Sequence, residues 1–199
     1  MELAGPLCGK QVLDFGCGDG KFTSELIASN PARVTGADIS SVAIRYAAQR
    51  VPGAHFISIT PPTLPFADAS FDTLFCLDVL EHIPDEQLAR TVREITRVLA
   101  PGGTLILSLP STMKNLDRKH FRHYTPESIA TLLDSSFHAY QYRGYFKAPS
   151  CIPIALFDRL YNRRYIWPLF SHLICATSQP DDALYFAVAC RKAASQEYQ

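Results

Sequence analysis

The chain has 199 residues, and its 19 Lys and Arg residues balance 19 Asp and Glu residues. Hydrophobic residues make up 47% of the chain and charged residues 19%, which excludes a disordered protein and is typical of a globular one. The balanced charge disfavours a dedicated nucleic-acid binder, which usually carries a basic excess. We expect one domain over residues 1–192 and a disordered polar tail at 193–199.

The six cysteines and the first residues bear on metal binding and location. No two of the cysteines, at positions 8, 17, 76, 151, 175 and 190, have CxxC spacing, so we expect no zinc site. Cys76 and Cys190 lie in apolar runs, which favours buried, reduced thiols and a reducing compartment. The first residues lack a basic region followed by an apolar one, so we expect a cytoplasmic protein.

The first half of the chain alternates short apolar runs with helical segments. Apolar or β-branched runs predict strands at 11–15, 33–37, 54–59, 71–77 and 104–109. Helices are predicted at 20–29, at 40–50 with Ser40 as the N-cap, and at 84–99. Pro101-Gly102-Gly103 ends the last of these helices.

The last third of the chain is less regular. Thr125 is predicted to cap a helix that runs to about Asp134, with Pro126 at its first position. Strands are predicted at 137–146 and 183–191, as an antiparallel pair at one edge. Strands that alternate with helices indicate an α/β fold, here a doubly wound, mostly parallel seven-stranded sheet with an antiparallel edge strand.

Ligands of such sheets bind beyond the carboxyl ends of the strands. The first strand ends at a glycine turn, in which Gly16, Gly18 and Gly20 permit a tight backbone and a close approach to a ligand. The helix after the turn offers its N-terminal N–H groups. Asp38 follows the second strand, where a carboxylate accepts hydrogen bonds from ribose hydroxyls. These features predict a nucleoside site.

The turn also discriminates between nucleoside ligands. A dinucleotide fingerprint, GxGxxG, has a third glycine where this chain has Lys21. Asp14, two residues before the first glycine, suits a cationic ligand better than a pyrophosphate. S-adenosylmethionine is such a ligand, since it carries a sulfonium and an amine. An NAD-dependent oxidoreductase is the alternative.

Four segments in order resemble the class I S-adenosylmethionine-dependent methyltransferases, and most closely their type 11-like subgroup. They are VLDFGCGDG, ADIS, LPFADASFDTLFCLDVLEHI and LAPGGTLILSLP, and the resemblance covers residues 10 to 135. It implies a Rossmann-like fold and S-adenosylmethionine as the cofactor. It also implies methyl transfer to an acceptor by in-line displacement, in which the protein mainly supplies position and desolvation.

The resemblance also implies roles for individual residues. The turn, including Cys17, would line the methionine part of the cofactor, Asp38 would bind the ribose, and Ile39 would contact the adenine. Thr60 stands where relatives carry an aspartate that binds the adenine amino group. The full implied cofactor set is Asp14, Gly16, Cys17, Gly18, Gly20, Asp38, Ile39, Thr60, Asp78 and Val79.

Candidate acceptor groups lie in two places. The polar segment from Lys114 to Tyr124 contains His120 and His123, and DVLEHIP contains His82. If the acceptor is a hydroxyl, these histidines are candidate bases in the order His120, His123 and His82, with Tyr124 as an orienting group. We expect residues 112–125 to form a lid; the alternatives are a solvated loop and, for His82, a packing role.

Residues 147–180 separate the last two predicted strands and form a second expected insertion. Its apolar part, 151–176, contains Asp158, Arg159, Arg163 and Arg164, which is too much charge for a membrane-spanning helix. It is predicted to pack on the sheet, to form an acceptor wall, or to contact a membrane surface. We expect a small-molecule, sugar or lipid-linked acceptor. A degenerate, non-catalytic binding module is a further alternative, and the oligomeric state stays open.

Overall fold

A computed structural model describes residues 2–114, 118–133, 136–147 and 183–194. Seven strands form one sheet: β1 (Gln11–Phe15), β2 (Arg33–Asp38), β3 (His55–Ser58), β4 (Phe71–Leu77), β5 (Leu99–Pro110), β6 (Phe137–Lys147) and β7 (Ala183–Lys192). The α-helices are α1 (Lys21–Ile27), α2 (Ser41–Arg50), α3 (Asp85–Val98) and α4 (Pro126–Leu133), and single 3-10 turns cover Glu2–Ala4 and Leu80–His82.

The strands follow the order β3-β2-β1-β4-β5-β7-β6. Strands β1 to β5 pair in parallel, whereas β7 is antiparallel to both β5 and β6. The predicted doubly wound, mostly parallel sheet is confirmed, and its antiparallel strand lies beside the edge strand β6. The chain reverses direction across the sheet between β1 and β4. The carboxyl ends of β1 and β4 therefore flank the switch point where such sheets bind ligands.

Apolar side chains cover both faces of the sheet. Val12 of β1 packs with Leu26 of α1, while its neighbour Leu13 packs in a larger cluster with Ile95 of α3 and Ile129 of α4. Successive residues of a strand point to opposite faces, so α1 covers one face and α3 and α4 the other. This burial on both faces explains why the parallel strands are almost continuously apolar.

Most predicted element bounds agree with the structure to within two residues. Strands β1 and β4 have the predicted bounds, and the Ser40 side chain caps α2 by accepting the N–H of Ala43 at 3.2 Å. The start of β5 is the main difference, because the strand begins at Leu99, directly after α3, and not at Thr104. Pro101-Gly102-Gly103 ends the helix as predicted but lies inside the strand, opposite a register shift in β4.

Several sequence predictions concern residues outside the described ranges. The segment 151–176 and its expected contacts lie outside them, as do Asp134 and residues 195–199. The described part of the predicted lid comprises residues 112–114 and 118–125. Within the described ranges, no helix is both long enough and apolar enough to cross a membrane.

Candidate cofactor and acceptor site

The glycine turn after β1 has a backbone that other residues adopt only under strain. Gly16, Gly18 and Gly20 have φ angles of 81°, 52° and 79°. The backbone N–H of Gly16 donates to the Ala37 carbonyl of β2 at 2.7 Å. A Cβ atom on Gly16 would lie 2.3 Å from Cγ2 of Val79, in the loop after β4. With Val79 in place, a side chain at position 16 would force either the turn or the Val79 side chain to shift.

Asp38, at the end of β2, orders both of its neighbouring loops. Its Oδ2 accepts the backbone N–H of Gly18 at 2.9 Å, and its Oδ1 accepts that of Ser40 at 2.8 Å. One carboxylate therefore joins the glycine turn to the start of α2. Each carboxylate oxygen can accept a second hydrogen bond, so Asp38 retains the capacity to bind ribose hydroxyls.

Asp14 and Cys17 support the turn from within the protein. Asp14 is 3% exposed and accepts a 2.6 Å hydrogen bond from the Thr23 hydroxyl. Burial raises the pKa of Asp14 to about 6, against the lowering effect of Thr23, and the nearby charge of Asp38 adds to the rise. Burial, with the charges of Asp14 and Asp38, raises the pKa of the Cys17 thiol to about 12. Cys17 therefore stays protonated and is no nucleophile at neutral pH.

A cavity of about 610 Å³ lies beyond the carboxyl ends of β1 to β4, within the range of about 300–1,000 Å³ that is usual for ligand sites. The Ile39 side chain, 68% exposed, offers an apolar surface in this wall that a planar adenine would cover. The lining residues are Phe15, Gly16, Asp38, Ile39, Ile59, Thr60, Pro61, Asp78, Val79, His82, Ile83, Pro84 and Gln87.

Asp78 begins the loop after β4 with a φ of 54°, a conformation that aspartate tolerates better than most residues. Two hydrogen bonds to the neighbouring strand hold it there. Its backbone N–H donates to the Ser108 carbonyl at 3.1 Å, and the Ser108 hydroxyl donates to its Oδ1 at 2.6 Å. The bend turns the chain toward Val79 and the 3-10 turn Leu80–His82. The wall of the cavity therefore continues from Asp78 to His82.

Three histidines form a connected cluster beside this wall. The rings of His82 and His120 lie edge to face with centroids 4.8 Å apart, and His120 Nδ1 lies 2.9 Å from His123 Nε2. His82 Nδ1 lies 3.0 Å from the Lys119 carbonyl, and His123 Nδ1 lies 3.1 Å from that of Lys114. The structure thus brings together the three predicted bases from two separate segments. Of the three, only His82 lines the cavity.

Glu81 lies directly under the histidine cluster. Its side chain is 1% exposed, and its Oε2 has no hydrogen-bond partner within the described residues. Burial raises the pKa of Glu81 to about 7, against the lowering effect of a hydrogen bond from its own backbone N–H; the Asp78 charge adds to the rise, and His82 and Lys114 oppose it. A buried carboxyl oxygen without a partner is uncommon in folded proteins, which makes Glu81 a candidate contact for a ligand.

Tyr124 lies in the protein core. It is 2% exposed and packs in the large apolar cluster with Ile129 of α4. Burial raises its pKa to about 12, although Arg122 lowers it. Arg122 in turn donates to the Leu80 carbonyl at 2.7 Å and pairs with Asp85. Tyr124 is not among the residues that line the cavity, so its predicted orienting role stays a prediction.

The cavity wall contains seven of the fourteen predicted site residues: Gly16, Asp38, Ile39, Thr60, Asp78, Val79 and His82. The others support the turn, belong to the histidine cluster or lie in the core. The predicted set did not include Glu81 and Gln87. Gln87 was recognisable only by its place in the first turn of α3, at the carboxyl edge of the sheet. Glu81 was recognisable by its neighbour His82, in a loop that follows a strand.

Comparisons with known proteins agree with this geometry. A family model described as "Methyltransferase domain" matches residues 12–103. A probable S-adenosylmethionine-dependent methyltransferase of Mycolicibacterium smegmatis is 36% identical over 143 residues, which are 68% of this chain and 54% of that protein. The 27-O-demethylrifamycin SV methyltransferase of Amycolatopsis mediterranei is 37% identical over 115 residues, which are 53% of this chain and 42% of that protein.

A solved structure gives the same fold. The S-adenosylmethionine-dependent methyltransferase of Methanosarcina mazei has a TM-score of 0.66, is 21% identical, and aligns over 94% of this chain and 93% of its own. The chain spans about half the length of the two relatives named above, so the activities in their names are not assigned to it here. The family match, the four motifs and the fold agree on one conclusion. The chain belongs to the class I S-adenosylmethionine-dependent methyltransferases, a family whose methyl donor is S-adenosylmethionine.

Proposed function

We propose that this protein methylates a hydroxyl group of a small molecule with S-adenosylmethionine as the donor. The observation that carries the proposal is that one cavity is lined both by Asp38 and Ile39 and by His82. The first two residues suit a nucleoside, and the third belongs to a cluster of bases. Donor and acceptor would therefore meet in a single compartment, as direct methyl transfer requires.

The cofactor half follows from the residues described above. Asp38 would accept the ribose hydroxyls, Ile39 would cover the adenine, and the Gly16 backbone would approach the methionine part. Thr60 would lie near the adenine amino group. The cofactor supplies a methyl group on a positively charged sulfur, which is already reactive toward an oxygen nucleophile. The residues of this half therefore bind and orient, and their exact position controls the rate.

The acceptor half must remove a proton from the hydroxyl group. The His82 Nδ1–H donates to the Lys119 carbonyl at 3.0 Å, so in the neutral ring the lone pair lies on Nε2. Because His82 lines the cavity, we place it first among the three histidines, with His120 and His123 behind it. A positioned base contributes typically ~10²–10⁴-fold to the rate. Oxygen as the acceptor atom is supported by the relative that is named for 27-O-demethylrifamycin SV.

The lining of the cavity supports a small molecule as the acceptor. An apolar wall with a few polar groups is typical of small-molecule sites. The zero formal charge of the chain gives no reason to propose a nucleic acid. A sugar or lipid-linked acceptor and a cytoplasmic location stay predictions from the sequence.

The test combines binding with turnover. Calorimetry should show that S-adenosylhomocysteine binds and that NAD binds far more weakly. Release of S-adenosylhomocysteine should then be measured with a panel of phenols and other hydroxylated small molecules. His82→Ala should lower turnover and leave cofactor affinity unchanged, since it removes a group from the acceptor half. Binding of S-adenosylhomocysteine without any turnover on the panel would favour the non-catalytic alternative. Preferential binding of NAD would favour the oxidoreductase.

A further inference from the structure

Glu81, His82 and His120 converge on one point beside the cavity. Each residue offers one ligand atom, a carboxylate oxygen or a ring nitrogen, and these atoms all lie within 4.8 Å of one another. The three residues come from the 3-10 turn Leu80–His82 and from the segment after β5, far apart in the chain. The described fold thus brings two imidazoles and a carboxylate together at the edge of the cavity that His82 lines.

Two backbone carbonyls fix the tautomers of these histidines. The Lys119 carbonyl can only accept, so the His82 Nδ1 carries the proton and its Nε2 has the lone pair. In the same way, the Lys114 carbonyl places a proton on His123 Nδ1, which leaves His123 Nε2 as an acceptor. When both rings are neutral, His120 donates its Nδ1–H to His123, and the lone pair of His120 then lies on its Nε2. An N–H that donates to a carbonyl or a second acceptor is the usual support of a metal-binding histidine.

Glu81 gives a second, independent indication. Its side chain is 1% exposed, yet its Oε2 has no hydrogen-bond partner within the described residues. Folded proteins rarely leave a buried carboxyl oxygen in this state. A cation held between this oxygen and the two imidazoles would give Glu81 the missing partner.

We propose that Glu81, His82 and His120 bind a divalent first-row transition-metal ion of the zinc class. Two neutral imidazoles and one carboxylate are a donor set that suits zinc, iron and their neighbours, whereas magnesium and calcium prefer oxygen ligands alone. Three protein ligands leave at least one coordination position for another molecule, as in catalytic metal sites. The cysteine spacing in the sequence gives no indication of this site, because no cysteine takes part in it.

The metal site would activate the acceptor hydroxyl, and this role rests on the proposed function. A hydroxyl that reaches a divalent cation ionises at lower pH, and its proton passes to solvent. With the ion bound, the cation replaces His82 as the group that activates the acceptor oxygen, because the ring nitrogens of His82 and His120 then hold the cation. Removal of the ion would therefore lower turnover and leave cofactor binding intact.

The direct test is metal binding by the protein itself. Protein purified without a histidine tag is freed of metal with EDTA, then titrated with Zn²⁺ by calorimetry and with Co²⁺ by visible absorption. We expect one ion per chain, and at least tenfold weaker Zn²⁺ binding in both Glu81→Gln and His120→Ala. His55→Ala is the matched control, because this exposed histidine begins β3 at the opposite end of the strand from the cavity. It should bind Zn²⁺ as tightly as the unmodified protein.

Two results would overturn the site: no one-to-one binding by the unmodified protein, or unchanged binding by Glu81→Gln. Circular dichroism melting shows whether each variant is folded. If His120→Ala does not fold, the near-isosteric Glu81→Gln decides alone. Titration of the metal-free protein with S-adenosylhomocysteine separates this inference from the proposed function. Cofactor binding without zinc binding refutes only the metal site, and zinc binding without cofactor binding refutes only the methyltransferase proposal.

Discussion

The carboxylate of Asp38 accepts a 2.9 Å hydrogen bond from the backbone N–H of Gly18, which joins the end of β2 to the glycine turn after β1. The same carboxylate accepts the N–H of Ser40, so it also orders the first turn of α2. The protein's own backbone therefore holds Asp38 in place before a ligand arrives. A ribose that binds there meets an acceptor whose orientation is already set, which reduces the entropy lost on binding.

The first prediction concerns the affinity that Asp38 provides. Asp38→Ala should raise the dissociation constant for S-adenosylhomocysteine at least tenfold, since a hydrogen bond to a charged group contributes about 1.5–3 kcal/mol. Calorimetry gives the constant. Asp72→Ala is the matched control, because Asp72 accepts the Gln11 N–H at 2.8 Å at the opposite edge of the sheet. Equal affinities for Asp38→Ala and the unmodified protein would remove Asp38 from the ribose site.

The second prediction separates backbone strain from steric clash at the glycines. Gly18→Ala introduces only the strain of a positive φ, since nothing lies within 4 Å of its Cβ position, and should cost about 1–2 kcal/mol. Gly16→Ala adds the clash with Val79 and should cost more. Gly53→Ala has neither problem and should leave the melting temperature unchanged.

Thermal melting followed by circular dichroism measures these differences. A cost of 1 kcal/mol corresponds to roughly 2–4 °C in a domain of this size. The double variant Gly16→Ala with Val79→Ala should recover the part of the loss that belongs to the clash. If Gly16→Ala and Gly18→Ala have the same melting temperature, the clash between position 16 and Val79 does not contribute to the loss of stability.

The third prediction is a pH dependence of stability that arises from Asp14. Its pKa is about 6 in the folded protein, against 3.8 for an unperturbed aspartate carboxyl. Between these values the folded state keeps a proton that the unfolded state has lost. The free energy of unfolding therefore falls as the pH rises from 4 to 6, by about 3 kcal/mol at about 1.36 kcal/mol per pKa unit.

Asp14→Asn should remove this slope, since the amide does not titrate and its oxygen still accepts the Thr23 hydroxyl. Urea denaturation at a series of pH values gives the free energies of both proteins. Asp19→Asn, at an exposed position of the same turn, controls for the loss of one carboxylate. A slope that persists in Asp14→Asn would assign it to another group.

The fourth prediction concerns the adenine. Thr60 lines the cavity at the position where the family resemblance implies an aspartate, so Thr60→Asp should preserve the affinity for S-adenosylhomocysteine or tighten it by up to about tenfold. Thr60→Val removes the hydroxyl without adding a carboxylate and should give no gain. A steep loss in Thr60→Asp would mean that the turn from Thr60 to Thr63 directs this side chain away from the adenine.

The cofactor half of the site was predictable because local sequence determines it. Apolar runs predict the parallel strands, and the glycines that follow β1 must occupy a turn at the carboxyl edge. Asp38 is the last residue of the next strand, so topology alone brings it to the same edge as Gly16. None of these inferences requires knowledge of contacts between distant parts of the chain.

The acceptor half was less predictable because tertiary contacts determine it. The proximity of Glu81 and His120 depends on how the segment after β5 folds back, where the Phe121 N–H donates to the Glu81 carbonyl at 2.8 Å. The start of β5 was missed for a related reason. Pro101-Gly102-Gly103 has the composition of a turn, yet pairing with β4 draws the preceding residues into the strand.

The position of β7 between β5 and β6 has a consequence for synthesis on the ribosome. Strand β5 pairs with β7 in the sheet, yet β7 is the last described strand in chain order, so α4 and β6 are synthesised before it. Until β7 emerges, the apolar edge of β5 is unpaired and can join another chain. Once β7 has paired, Lys192 stabilises its position, since the Lys192 ammonium group donates to the carbonyls of Thr96 and Leu99. Translation that stalls before residue 183 should therefore leave an aggregation-prone nascent chain.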